Sequence, residues 1–311
     1  MLNEFLFMKI LNLLLLLICF SACQNNNKDV SNSSKEFDWQ GHRGARGLVP
    51  ENSIPSFLKA LEFPVKTLEL DIVVSKDNDI IISHEPWFSE LICTKPDSSH
   101  VDSLEEKDLK IINMTYDEIK SFDCGSRGNE RFPEQQKMPV FKPSLKDMVN
   151  VIEAYCKENN RDLPFYNIEI KSNPEYYDLF TPSPSTYVKL VLQEINTLGI
   201  YDRCNLQSFD INILNQIHKQ DDKIPVAYLI ESLKSFEENL EMIDFEPDIY
   251  SPYHIFVHKE LVESVHSRNM KLIPWTVNEV ERMKELIELG VDGIITDYPN
   301  RIELALLKND E

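Results

Sequence analysis

The chain has 311 residues, 42% of them hydrophobic, and a formal net charge of −20. That length and apolar content suit one large domain with a sizeable core, and α/β barrels commonly reach this size as a single unit. The acidic balance excludes nucleic acid as a partner, because a phosphate polymer would be repelled over most of the surface, whereas a small phosphate ester needs only local arginine, lysine or metal charge.

The first 22 residues read as an export signal. Lys9 precedes an apolar run from Ile10 to Phe20, too short to span a bilayer comfortably, and small residues follow. Ending in Ser21-Ala22-Cys23, the segment resembles a bacterial lipoprotein signal. That resemblance implies cleavage before Cys23, lipid on its thiol, and a membrane-anchored protein of the bacterial cell envelope. Phe20 departs from the aliphatic residue usual three positions before the cysteine, and an ordinary signal peptide is the alternative. Residues 23–36 are polar and almost free of apolar side chains, so they read as a flexible tether. The folded domain is expected over 37–311.

From there β-rich runs alternate with helical patterns. "FDWQGHRG" is followed by "NSIPSFLKALEF", where Ile54, Phe57, Leu58 and Leu61 recur at helical spacing, with Asn52 or Ser53 as cap. "KTLELDIVVS" and "IIISHEP", joined by "KDND", predict a hairpin extending one strand. "LPFYNIEIKS", "RCNLQSF", "IPVAYLI", "PDIYSPY", "MKLIPWTVN" and "VDGIITDYP" complete eight β-runs. Before the last, Asn278 is the expected cap and Gly290 the stop of a helix. Eight βα units predict a TIM (β/α)8 barrel; a doubly wound sheet is disfavoured because no glycine-rich dinucleotide fingerprint follows the first strand. Residues 87–142, polar and weakly periodic, read as an insertion after the second barrel strand. Its Cys93 and Cys124 are either paired or two free buried thiols.

Charged residues gather where these strands end. His42 and Arg43 end the first, and His84 ends the hairpin. Glu69 and Asp71 in "LELD", and Glu169 and Lys171 in "IEIK", lie two apart with apolar neighbours, so each pair shares the face directed into the barrel. Buried carboxylates need cations, and three of them with one lysine suggest a hard metal, calcium or magnesium, held by oxygen. An internal salt-bridge network is the structural alternative. Gln207, at a strand end, is a substrate-pocket candidate.

"GHRGARGLVPENSIPSF", "LELDIVVSKDNDIIISHEP", "IEIK", "QSF", "PWTVN" and "DGIITDYP", in this order, resemble the glycerophosphodiester phosphodiesterase family across nearly all of the chain after the tether. The resemblance implies hydrolysis of glycerophosphodiesters to glycerol 3-phosphate and an alcohol, using one divalent cation, Ca2+ or Mg2+. It implies Glu69, Asp71 and Glu169 as metal ligands, His42 and His84 as the acid/base pair, and Arg43 on a phosphate oxygen with Lys171 nearby. Glu51 would support the first-strand residues and Trp275 would line the glycerol pocket. Glu85 stands where the family often has Asp. The nucleophile is water or the neighbouring glycerol hydroxyl, and Arg46 has no assigned role. Competing readings are a phospholipase-type phosphodiesterase acting on lysophospholipid or phosphoinositide, and a lipid-anchored binding protein without turnover.

Overall fold

The computed structural model describes residues 37–307. The expected signal, the expected tether and the expected lipid attachment at Cys23 all lie outside them. The strands are β1 (Asp38–Gly41), β2 (Thr67–Val74), β3 (Ile80–Ile82), β4 (Phe165–Ile170), β5 (Cys204–Ser208), β6 (Val226–Ile230), β7 (Ile249–Pro252), β8 (Lys271–Leu272) and β9 (Gly293–Thr296). They run in the order β8-β7-β6-β5-β4-β2-β1-β9, with β3 paired only to β2. Every pairing along that order is parallel, while β3 is antiparallel to β2. Backbone bonds from Asp292 N to Leu272 O (2.9 Å) and from Ile295 N to Pro274 O (3.0 Å) bring the two ends together. The result is a nearly closed barrel of eight parallel strands with helices between them, as the eight β-runs predict.

Strand alternation builds two cores. Leu68, Leu70 and Ile72 of β2, with Tyr166, Ile168 and Ile170 of β4, belong to the main cluster shared with the helices. Ala227, Ile249 and Ile295 of the strands, with Ile273 just after β8, form a separate cluster, and Trp275 packs against it. All parallel strands point the same way, so the segments following them share one rim, where (β/α)8 enzymes carry their sites.

Of the two helix caps read from the sequence, the first is decided between its alternatives and the second needs correction. Ser53 caps the helix Ile54–Ala60, because Asn52 adopts φ +53 and is used elsewhere. Glu279, and not Asn278, occupies the N-cap of the helix Val280–Leu289, while Gly290 ends it at φ +90. In both cases a long-range polar partner claims the asparagine.

The insertion is more ordered than its weak periodicity suggests. It contains the helix Tyr116–Lys120 and a disulfide between Cys93 and Cys124. Phe88, Ile92, Ile111, Ile119 and Phe122 pack with Val73 and Ile81 of the hairpin in a core of their own. Its later part lies on the loop after β1: Gln136 N donates to Leu48 O (2.8 Å), and Arg46 stacks on Phe132 at 4.5 Å. Among the described residues, no helix is long and apolar enough to cross a membrane.

Candidate active site

The loop after β1 is tightly determined. Arg43 sits at φ +50 and Gly44 at φ +84. A Cβ at Gly44 would lie 2.5 Å from the backbone of Ser56, so only glycine fits. This turn lets the Arg43 backbone N–H donate to Glu69 Oε2 at 2.8 Å. Its guanidinium reaches Glu51 Oε1 (2.5 Å) and Asp71 Oδ2 (3.0 Å). Glu51 is thus held between Arg43 and Arg46, the latter at 3.8 Å.

Glu69, Asp71 and Glu169 are all buried, and each offers an oxygen within 4.8 Å of the other two. β2 and β4 set this spacing, with Asp71 directly opposite Glu169 in the parallel register. Each carboxylate is also oriented. Gln207 Nε2 donates to Glu69 Oε1 (3.0 Å), Asn52 Nδ2 to Asp71 Oδ2 (2.8 Å), and Lys171 Nζ to Glu169 Oε1 (2.7 Å). Burial, then the charges of Asp71 and Glu169, push Glu69 well above the usual carboxylate range. Against the same burial, Arg43, His84 and Lys171 hold Asp71 well below it. Asp71 Oδ1 is buried without a hydrogen-bond donor, with Lys171 Nζ 3.8 Å from it. Converging carboxylates, one still able to accept, and an all-oxygen donor set fit a hard divalent cation.

Two histidine–carboxylate pairs flank this cluster. His42 Nδ1 lies 2.6 Å from Asp297 Oδ1, and its Nε2 is 3.9 Å from Glu69. His84 Nδ1 lies 2.6 Å from Glu85 Oε1, and its Nε2 is 3.1 Å from Lys171 Nζ. A carboxylate on Nδ1 takes that nitrogen's proton as a hydrogen bond, so in each neutral ring Nε2 carries the lone pair. Burial lowers the pKa of His42 to about 4, with Arg46 and Arg43 acting in the same direction and Asp297 opposing.

Asp297 is a residue of this cluster that sequence reasoning missed. Arg46 Nε lies 3.0 Å from its Oδ1 and Asn278 Nδ2 donates to its Oδ2 at 2.8 Å. This gives Arg46 a place in the site and explains why Asn278 is not the helix cap. Lys142, at the end of the insertion, is another buried addition, donating to Ser83 Oγ at 2.7 Å.

The two remaining expected residues differ in placement. Gln207 is buried with its amide shared between Glu69 and Asn167, so in this structure it orients the Glu69 carboxylate. Trp275 is partly exposed, anchored by Nε1 donating to Ser251 O (2.9 Å) and packed against Phe209 and Tyr253.

Residues 42–301 match the glycerophosphoryl diester phosphodiesterase family. The chain belongs to this family. It is 29% identical to a glycerophosphodiester phosphodiesterase of Caldanaerobacter subterraneus subsp. tengcongensis, over 84% of this chain and 94% of that one. A solved Silicibacter pomeroyi DSS-3 protein shares the fold at TM-score 0.75 and 27% identity, covering 87% of this chain and 94% of that one. An Oleispira antarctica phosphodiesterase, solved with the product sn-glycerol 3-phosphate, superposes at TM-score 0.67 and 21% identity, covering 86% of this chain and 96% of that one. These family relations and the site just described concern the same rim, because the matched segment begins at His42 and includes Asp297.

Proposed function

We propose that this phosphodiesterase hydrolyses glycerophosphodiesters to glycerol 3-phosphate and an alcohol at one divalent cation, Ca2+ or Mg2+. The observation that carries the reading is the convergence of Glu69, Asp71 and Glu169 between two histidines that each rest on a carboxylate. Those three carboxylates would hold the cation, which when bound offsets negative charge on the phosphate's non-bridging oxygens. Arg43 and Lys171 add fixed positive charge beside the cluster and orient the diester. His42 and His84 form the acid/base pair: one Nε2 takes the proton of the nucleophile, and the other ring returns a proton to the departing alkoxide. Asp297 and Glu85 fix the rings so that Nε2 of each is turned toward the cluster. Trp275 closes the side against which glycerol packs.

The reading includes a place of action. Lipid on Cys23 would hold the domain at a membrane of the bacterial cell envelope, with residues 23–36 as its tether. Radiolabelled palmitate incorporation that survives in the wild type and is lost in Cys23→Ser would support this; labelling of both would refute it.

The enzymatic test measures glycerol 3-phosphate released from a panel of glycerophosphodiesters, with and without chelator. Release that stops on chelation and returns with Ca2+ or Mg2+ is the expected result. Undiminished release after thorough chelation would sink the cation. His42→Ala and His84→Ala should each lower kcat by about 10²–10⁴-fold with the fold intact by circular dichroism.

A further inference from the structure

The insertion reaches both histidine–carboxylate pairs. Cys124 N donates to Val140 O at 2.7 Å, which closes residues 124–140 into a loop. The disulfide to Cys93 fastens that closure to the insertion's own core. Phe132 and Gln135 lie on the loop, and Lys142 follows it. Two arms thus leave one stapled point.

The first arm ends beside His84. Ile82 N donates to Pro143 O (2.8 Å) and Ile81 bridges to Ser144, an antiparallel register that puts Lys142 opposite Ser83. The Lys142 side chain is buried, its ammonium 5.6 Å from the Phe88 ring and donating to Ser83 Oγ (2.7 Å). Ser83 is buried as well. Its Oγ donates to Glu85 O (2.5 Å) and its N–H to Asp71 O (2.9 Å), so the residues on either side of His84 are tied to one ammonium. Burial lowers the pKa of Lys142, and the facing carboxylates of Glu85 and Glu51 oppose that shift. Burying an ammonium is costly and a methionine would fill the same space, so packing alone does not call for lysine here.

The second arm lies on Arg46. Phe132 is buried, with its ring centre 4.5 Å from the Arg46 guanidinium and 6.4 Å from the ring of Tyr298, the neighbour of Asp297. Gln135 Nε2 donates to Arg46 O (2.7 Å) and Gln136 N to Leu48 O (2.8 Å), which holds the backbone on which Arg46 stands. Arg46 Nε lies 3.0 Å from Asp297 Oδ1, the oxygen that meets His42 Nδ1. Glu134 adds an outer link: it accepts from Arg301 (2.7 Å), Arg301 donates to Asn278 O (2.8 Å), and Asn278 holds the other oxygen of Asp297.

We infer that the insertion positions both acid/base histidines: Lys142 sets the His84–Glu85 pair through Ser83, and Phe132 with Gln135 sets the His42–Asp297 pair through Arg46. This rests on the phosphodiesterase reading, in which the two rings must present Nε2 to the same diester. All three are positioning residues, since each acts through another side chain. Small misplacement of a proton-transferring ring is costly to the chemical step, so their loss should fall on kcat and spare KM.

The test measures glycerol 3-phosphate release from a panel of glycerophosphodiesters with Ca2+ or Mg2+, in double-mutant cycles. Lys142→Met should lower kcat about tenfold, and Phe132→Leu/Gln135→Ala about three- to tenfold, each with KM within about twofold of wild type. The Lys142→Met loss should shrink below about twofold in a Glu85→Gln background and persist in Asp297→Asn. The Phe132→Leu/Gln135→Ala loss should show the reverse, vanishing in Asp297→Asn and persisting in Glu85→Gln. Ser83→Ala cuts the first arm from the strand side, so it should match Lys142→Met and add nothing to it. Circular dichroism and urea midpoints check each fold; if Lys142→Met does not fold, Ser83→Ala decides the first arm. Wild-type kcat in these variants, a loss of equal size in both backgrounds, or a loss carried by KM would make the insertion a structural excursion and overturn the inference. Any of those results beside an active wild type defeats this inference alone. A wild type that releases glycerol 3-phosphate from none of the panel defeats the phosphodiesterase reading and this inference with it.

Discussion

Along β1, β4 and β5 the barrel interior holds Gln40, Asn167, Asn205 and Gln207, whereas along β6, β7 and β9 it holds Ala227, Ile249 and Ile295. The change is abrupt in register: Gln207 pairs with Ala227, and Ala227 with Ile249. On the polar side Asn167 Nδ2 bridges Gln40 Oε1 and Gln207 Oε1, and Gln207 passes the connection to Glu69. On the apolar side packing fills the space, with Ser251 Oγ donating to Ile273 O (2.6 Å) above Ile249. The difference teaches how one barrel positions charge. The buried carboxylate Glu69 stands on a column of amides that fixes one of its oxygens, Asn52 and Lys171 do the same for Asp71 and Glu169, and the aliphatic half supplies packing.

If the halves divide labour in this way, substitutions should sort by side. The largest loss belongs to Glu69→Gln, which removes a ligand charge while keeping shape. Turnover should fall by about 10³-fold or more, as expected when several kcal/mol of transition-state charge stabilisation disappears. Titration calorimetry should show weakened Ca2+ or Mg2+ binding in the same variant. Full cation affinity in Glu69→Gln would break the comparison at its centre.

Asp297→Asn comes next. The amide cannot anchor the His42 Nδ1 proton with a charge, and it can present an N–H there that favours the wrong tautomer. A fall in kcat of about 10²-fold is expected, with little change in KM and a displaced acid limb of the pH–rate profile. A purely structural Asp297 would instead lower thermal stability and leave the profile in place.

How much of this was legible in the sequence depends on range. Glu69, Asp71, Glu169 and Lys171 were readable because alternation with Leu68, Leu70, Ile168 and Ile170 assigns them a face. The eight β-runs were readable for the same reason. Asp297 was not, because its partner His42 lies 255 residues away and "TDYP" looks locally like a turn. Gln207 was seen at a strand end, but its depth follows from its pairing opposite Glu169, which one strand cannot reveal. The insertion's order was hidden because Tyr116–Lys120 is too short to display a helical period, and its core is completed by the distant Val73 and Ile81.

A smaller effect separates the halves most cleanly. Gln207→Leu removes the hydrogen bond to the Glu69 carboxylate, worth about 1.5 kcal/mol, together with the one accepted from Asn167, so activity should fall by about tenfold or somewhat more. Ile273→Ala, across the barrel, should cost about 2–5 kcal/mol of stability by leaving a cavity, with kcat at 25 °C nearly unchanged. Denaturant melts and steady-state kinetics on the two variants decide this. Equal losses of kcat would show that the interior acts as one unit.

The smallest expected effect concerns pH. Glu85 is held down to about 2: burial opposes ionisation, but the hydrogen bond and charge of His84, with Arg43 and Lys142, prevail. In the unfolded chain it returns to the ordinary value near 4.5. A carboxylate depressed by folding stabilises the native state fully above its unfolded pKa, and that contribution fades as pH falls from about 4.5 toward 2. Wild type should therefore lose urea resistance more steeply over this window than Glu85→Gln, and the two curves should run parallel above pH 5. Ile273→Ala provides the contrast, since an aliphatic cavity has no proton to bind and should lower the urea midpoint about equally across the window. If Glu85→Gln falls as steeply as wild type, the His84–Glu85 pair is not coupled to folding, and the acid sensitivity of the polar half arises in the carboxylates beneath it.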